Sequence, residues 1–182
     1  EIGAKDVLVK NVKEEFVKNY VFPALFWNAN YEGTYLLGTS LARPLIAKKQ
    51  IEVAKEVGAN IVSHGATGKG NDQVRFEISY YALNPNIKIL APWKIPEFYN
   101  KYPGRKELLE YANEKNITVK ASKEKPWSSD ENIMHISFES GILEDPWQEP
   151  PDEMFELTKS PQSSQNKQQT LEIEFFKGEP IA

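Results

Sequence analysis

The residues best equipped for chemistry lie in Ser63-His64-Gly65-Ala66-Thr67-Gly68-Lys69-Gly70-Asn71-Asp72-Gln73-Val74-Arg75. Three glycines within six residues let backbone N–H groups converge. The segment separates a short apolar strand pattern from a helical one. Open parallel sheets bind ligands there, because exposed amides and a helix dipole favour an anion. The spacing is neither that of a Walker loop, which needs four residues before Gly-Lys-Ser/Thr, nor that of the dinucleotide fingerprint. If Asn71 caps the helix, Arg75 follows one turn later on the same face, and helical side chains lean toward the N-terminus. Thr67, Asn71, Asp72 and Arg75 can then crowd one pocket. The pattern also suits an ordinary turn whose glycines serve only backbone geometry.

A second segment is Tyr35-Leu36-Leu37-Gly38-Thr39-Ser40-Leu41-Ala42-Arg43-Pro44. Gly38 lets the chain turn, Thr39 and Ser40 can donate to a carboxylate or cap a helix, and Arg43 offers a two-pronged donor. A plain N-cap followed by a solvated arginine is the simpler account of that pattern. His64 and His135 lie about seventy residues apart without Asp or Glu at ligand spacing, so no dedicated metal site is expected. No nucleophile with a base and an orienting acid is visible. Trp27, Trp93, Trp127 and Trp147 are expected as core or loop anchors, since no basic patch accompanies them.

The elements that position these residues follow from periodicity. Strands are expected over Asp6–Lys10, Ile61–Val62, Ile87–Ala91 and Ile117–Lys120, and an alternating, half-exposed one over Leu171–Phe176. Helices are expected from Lys13 to about Leu25, after Pro44, from about Asp72 to Leu83, and from about Arg105 to Glu114. The second carries an apolar stripe of Ala42, Ile46, Val53 and Val57 and stops at Gly58; the third bears Val74, Ile78 and Tyr81 on one side. Strands returning through helices must lie parallel, so this half is α/β. Residues 145–170, rich in Pro, Ser and Gln, read as a long excursion. The boundary falls near Asn116: an α/β lobe over 1–116, then the opening of an α+β lobe over 117–182.

Composition bounds the function. The 182 residues are 40% apolar and 26% charged, with a net charge of −4, which suits a folded domain or parts of two. With no cysteine, disulfide scaffolds, thiolate metal sites and thiol nucleophiles are excluded, which suits a reducing compartment. A pI near 5.4 argues against nucleic-acid backbone binding. No apolar run approaches the roughly 18 residues of a membrane span. A soluble, intracellular protein is expected, with no nucleic acid or membrane as partner. Glu1 stands where an initiator Met would, so the sequence reads as a piece of a longer protein.

Four segments resemble argininosuccinate synthases: YLLGTSLARP (35–44), SHGATGKGNDQVRFE (63–77), APWKIPEFYNKYPGR (91–105) and ENIMHISFESGILEDP (131–146). The resemblance extends over essentially the whole chain. It implies a parallel-sheet lobe of the ATP-pyrophosphatase type, similar to adenine nucleotide alpha hydrolases, followed by the start of an α+β synthetase domain. It further implies an ATP-dependent ligase of arginine biosynthesis that joins L-citrulline to L-aspartate through a citrulline-adenylate, releasing AMP and pyrophosphate. Mg²⁺ would accompany ATP, held mainly by its phosphates, and the full-length enzyme would be a cytosolic homotetramer. Carried over by motif, Tyr35, Ser40, Asn71, Arg75, Ser128 and Ser137 would bind citrulline. Thr39, Arg43, Thr67, Asn71 and Asp72 would bind or neighbour aspartate. Ser63, His64, Gly65, Ala66, Thr67, Gly68, Lys69, Gly70 and Asn71 would border ATP. The family grips pyrophosphate with a Ser-Gly-Gly-x-Asp-x-Ser loop that does not occur here, nor does the C-terminal part of the synthetase domain. The 182 residues alone are therefore expected to be inactive. Alternatives are another enzyme on the same lobe, an amidating ligase or a tRNA-thiolating enzyme, and a non-catalytic binding module.

Overall fold

A computed structural model of the chain describes residues 3–119 and 127–181. It divides into two units, Glu1–Phe16 with Gly38–Lys120 and Val17–Leu37 with Ala121–Ala182. The expected helix from Lys13 forms in three pieces: α1 (Lys13–Phe16), a π-helical turn (Val17–Val21) and α2 (Phe22–Phe26). Pro23 accounts for the widened turn. It has no N–H for the carbonyl four residues back, and its ring crowds that carbonyl.

In the first unit, α3 (Gly38–Val57) begins at Gly38, not after Pro44, which lies inside it. Burial of the flanking Leu45 and Ala47, 1% and 0% exposed, offsets the helix hydrogen bond that proline forfeits. Gly58 ends the helix with φ of +71°, and the Ala59 N–H bonds the Ala54 carbonyl at 2.8 Å, closing the last turn. The strand β1 (Ile61–Ser63) leads into α4 (Asn71–Leu83), and the chain returns as β2 (Lys88–Leu90). The strands pair in parallel, with Ile61 opposite Lys88 and Ser63 opposite Leu90. A 3₁₀ turn (Pro92–Lys94), α5 (Pro96–Lys101) and α6 (Arg105–Glu114) follow.

The core joins Ala47, Ile51 and Ala54 of α3 to Val62, Tyr80 and Ile87, with Phe76 and Ile89 packed against it. The expected stripes face elsewhere: Ile46, Val57, Val74, Ile78 and Tyr81 are exposed. Each helix carries apolar residues on two faces while a two-stranded sheet covers one, and small Ala47 and Ala54 admit the closer approach. Asp6–Lys10 forms no strand, and Val7 and Val9 are 80% and 91% exposed. A β-branched run becomes a strand only against a partner backbone, and none pairs with it among the described residues. Leu8 and Val12 instead line a cavity of about 450 Å³ with Ile46, Val53 and Val57. Ile117–Val119 likewise form no strand, and Lys120 lies outside the described residues.

The second unit is built on an antiparallel hairpin, β3 (Ser128–Glu131) with β4 (Ile136–Glu139). The Asn132 side-chain oxygen accepts from the N–H groups of Met134 and His135 at 2.9 and 3.0 Å, which shapes the turn. Residues 145–170 hold only short 3₁₀ turns, as their composition implies. The strand expected over 171–176 shrinks to β5 (Phe175–Phe176) against β6 (Glu179–Pro180). Lys177 and Gly178, both at positive φ, make a two-residue turn whose return is too short to partner Leu171 and Ile173. Trp127 is buried, whereas Trp27 and Trp147 are 74% and 95% exposed and lie outside the core. Among the described residues no helix is long and apolar enough to cross a membrane.

One polar link crosses the core of the first unit. The buried Tyr80 hydroxyl bonds the Gln50 side-chain oxygen, and burial, aided by the Glu77 charge, pushes its pKa up to about 12. Gln50 in turn donates to the Ser63 carbonyl at 3.1 Å. Tyr80→Phe is expected to cost about 1–3 kcal/mol by stranding the Gln50 oxygen. Chemical denaturation measures this, and an unchanged midpoint would refute the link.

Candidate active site

The glycine-rich segment runs from the C-terminal end of β1 to the N-terminus of α4. Ser63 Oγ donates to the Leu90 carbonyl at 2.8 Å, locking the ends of β1 and β2 together. Gly70 is the extended residue before α4, so Asn71 is its first helical residue and not its cap. The leading amides of α4 have no intrahelical acceptor and carry the positive end of the helix dipole. At Gly68 the loop approaches the next strand's turn so closely that a Cβ would stand 2.8 Å from the Trp93 carbonyl oxygen. Thr67, Gly68 and Lys69 border a cavity of about 530 Å³ with Trp93, Tyr99 and Asn100.

The segments at 35–44 and 63–77 meet through charge. Arg43 on α3 places Nε and Nη2 each 2.9 Å from Asp72 Oδ2. Arg75, one turn along α4 from Asp72, places Nη1 2.8 Å from Oδ1. The Arg43 guanidinium also lies 6.0 Å from the Phe76 ring centroid. Arg43 is thus not a solvated arginine. Two guanidiniums and one carboxylate thus lie together, and a guanidinium's planar fork of donors suits a carboxylate or phosphate.

Thr39 and Ser40 occupy the first turn of α3, three to four residues before Arg43 and on its side of the helix. Their hydroxyl oxygens are buried and have no partner among the described residues. Pro44 brings no N–H for the Ser40 carbonyl. A buried hydroxyl without a partner costs about 1–3 kcal/mol, so this turn holds donors a ligand can use.

Other expected residues belong to the second unit. The Tyr35 ring meets His135 edge-on, centroids 5.2 Å apart. Ser128 on β3 stands opposite Glu139, and Ser137 on β4 opposite Asp130. The register puts Ser128, Asp130, Ser137 and Glu139 on one face of the hairpin.

Sequence reasoning missed a group beneath the glycine-rich loop. Glu77 on α4 accepts from Lys94 at 3.2 and 3.0 Å and faces His64 Nε2 at 3.5 Å. Burial works to raise the Glu77 pKa, but hydrogen bonds from Gln73 and Lys94, the Lys94 charge and His64 together hold it below its ordinary 4.5. No local pattern links these residues: Lys94 lies 17 positions from Glu77 and across a strand. Among the described residues no cluster of three or more His, Asp or Glu side chains is placed to hold a metal ion.

A parallel strand pair, a glycine-rich loop opening onto a helix N-terminus, and helices packed on the strands make this unit an α/β domain of the HUP class, by its match to that class's family model. Residues 1–118 match the family model described as "Arginosuccinate synthase N-terminal HUP domain", and residues 127–182 match "Arginosuccinate synthase C-terminal domain". The chain belongs to the argininosuccinate synthase family. It is 54% identical over 181 residues to a zebrafish (Danio rerio) protein named argininosuccinate synthase, covering 100% of this chain and 44% of that protein. The like-named Thermotoga maritima protein is 55% identical over 179 residues, 98% of this chain and 44% of its own length. The human one is 53% identical over 181 residues, 100% of this chain and again 44% of its own length. The chain thus spans less than half the length of these relatives.

Two outcomes follow from the loop and its support. Gly68→Ala is expected to cost about 1–3 kcal/mol, because the Trp93 backbone must shift to admit the methyl group. Wild-type stability in thermal and denaturant melts would contradict this. Glu77, with its folded pKa lowered, adds stability that is complete above pH 4.5 and lost as pH falls through the lowered value. Glu77→Gln should therefore flatten the acid limb of stability against pH, and an unaltered limb would show that Glu77 is not the group titrating.

Proposed function

We propose that the full-length protein is an ATP-dependent ligase that condenses L-citrulline with L-aspartate to argininosuccinate in arginine biosynthesis. Family membership supports the reaction. The observation that carries it is the Arg43–Asp72–Arg75 assembly beside two unpartnered hydroxyls. Both amino-acid substrates are zwitterions, so each site needs a cation for a carboxylate and an acceptor for an ammonium. The arginines supply the first. Asp72 holds both arginines and keeps lone-pair capacity for the second.

In this reading the citrulline ureido oxygen attacks the α-phosphorus of ATP and expels pyrophosphate. The aspartate amine then attacks the adenylated carbon and AMP departs. Neither step requires a protein nucleophile, and the chain has no cysteine. Catalysis rests on holding three ligands in line, where orientation alone is worth about 7–11 kcal/mol. ATP enters as its magnesium complex, with the metal carried by the phosphates.

Ser40, Asn71 and Arg75 are proposed citrulline contacts. Thr39, Arg43, Thr67, Asn71 and Asp72 are assigned to aspartate, and the loop from Ser63 to Asn71 to ATP. Tyr35, Ser128 and Ser137 are proposed as further citrulline contacts. The whole enzyme is proposed to be a cytosolic homotetramer.

Pyrophosphate release by the full-length protein should require citrulline, and its continued turnover should require aspartate as well. Arg75→Ala should lower kcat/KM about a hundredfold, the roughly 3 kcal/mol of a hydrogen-bonded charge pair. Release driven by glutamine or tRNA, or indifference to Arg75→Ala, would overturn the assignment.

A further inference from the structure

The His64 side chain is only 3% exposed, too enclosed to be spent on a passing ligand. Its ring stacks on Phe76, centroids 5.4 Å apart and planes 14° from parallel, which fixes its orientation. Nδ1 accepts from the Ala66 N–H at 3.3 Å, so the proton of the neutral ring sits on Nε2. Nε2 faces Glu77 Oε1 at 3.5 Å and has no hydrogen-bond partner among the described residues. Glu77 is tied to Lys94 in the turn whose Trp93 carbonyl abuts Gly68. The loop is therefore gripped at Ala66 from below and at Gly68 from the side. Thr67 lies between the two grips.

We propose that His64 is a positioning residue, setting the conformation of the glycine-rich loop through the Ala66 N–H so that Thr67 is presented to substrate. The imidazole acts inward, on the backbone two residues ahead, beside the assignment of this loop to ATP. The role resembles an Asx turn, with an imidazole nitrogen in place of the carboxamide oxygen. Its catalytic consequence rests on the ligase reading, which assigns Thr67 to aspartate; the structural part does not.

Three variants of the full-length protein separate acceptor from bulk. His64→Phe keeps the stacking ring but removes the acceptor. His64→Asn restores an acceptor at the position of Nδ1, whereas His64→Gln reaches only toward Nε2. The Phe and Gln variants should raise the aspartate KM about tenfold, the value of one hydrogen bond of about 1.4 kcal/mol, while the citrulline KM stays within about twofold. His64→Asn should recover most of that loss. A second readout needs no turnover: hydrogen exchange at residues 65–70, followed by mass spectrometry, should accelerate in the Phe and Gln variants and not in Asn. If His64→Phe does not fold, the Gln and Asn pair carries the comparison. Equal behaviour of Gln and Asn in both readouts, or a Phe variant indistinguishable from wild type, would overturn the proposal. Exchange that follows the prediction in a protein whose turnover ignores aspartate would overturn the ligase reading and leave the positioning role standing.

Discussion

A single carboxylate, Asp72, organises the first unit. It binds Arg43 from the N-terminal half of α3, 29 positions away, and Arg75 from its own helix, tying the two helices together. Without it, two guanidiniums held near each other would repel and swing to solvent, and α3 would lose its polar tie to the start of α4. With it, the cations are held at about a third of full exposure or less, where a charge-assisted hydrogen bond to a ligand is screened less than at an open surface. Asp72 spends most of its accepting capacity inside the protein, which makes it first a fixture of the site and only then a ligand contact.

The apolar and polar layers under this assembly serve the same placement. Ala47, Ile51 and Ala54 bring α3 down onto β1, and the Tyr80–Gln50–Ser63–Leu90 chain of hydrogen bonds runs from α4 across the core to the ends of both strands. The loop that begins at Ser63 therefore starts from a fixed point. Glu77 and Lys94 then hold its underside, and Gly68 lets it sit against the Trp93 carbonyl. Rigid support below a glycine-rich segment holds its exposed amides in place for binding.

What the amino-acid order disclosed was what depends on near neighbours. Gly58 ends a helix wherever a left-handed residue is needed, the run from Arg105 to Glu114 is helical by its own pattern, and Ile61–Val62 and Ile87–Ala91 read as strands from their β-branched content. Faces and partners were not legible. Val74, Ile78 and Tyr81 look as apolar as Phe76 and Tyr80, and only the position of α3 decides which set is covered. Asp6–Lys10 has strand composition, but no strand pairs with it among the described residues. In the candidate site, local spacing put Asp72 beside Arg75, but the Arg43 contact and the His64–Glu77–Lys94 group join residues from different elements. The roles given to Tyr35, Ser128 and Ser137 came from motif resemblance, because nothing in their local chemistry marks them.

The most direct test of the account is a double-mutant cycle between Arg43 and Asp72 in the full-length protein, read by aspartate binding in calorimetry. If the carboxylate holds Arg43 in place for substrate, the two substitutions will be strongly non-additive, with a coupling of roughly 1 kcal/mol or more. Additive losses, or aspartate affinity that ignores Asp72→Asn, would contradict a carboxylate site built on this shared ion pair.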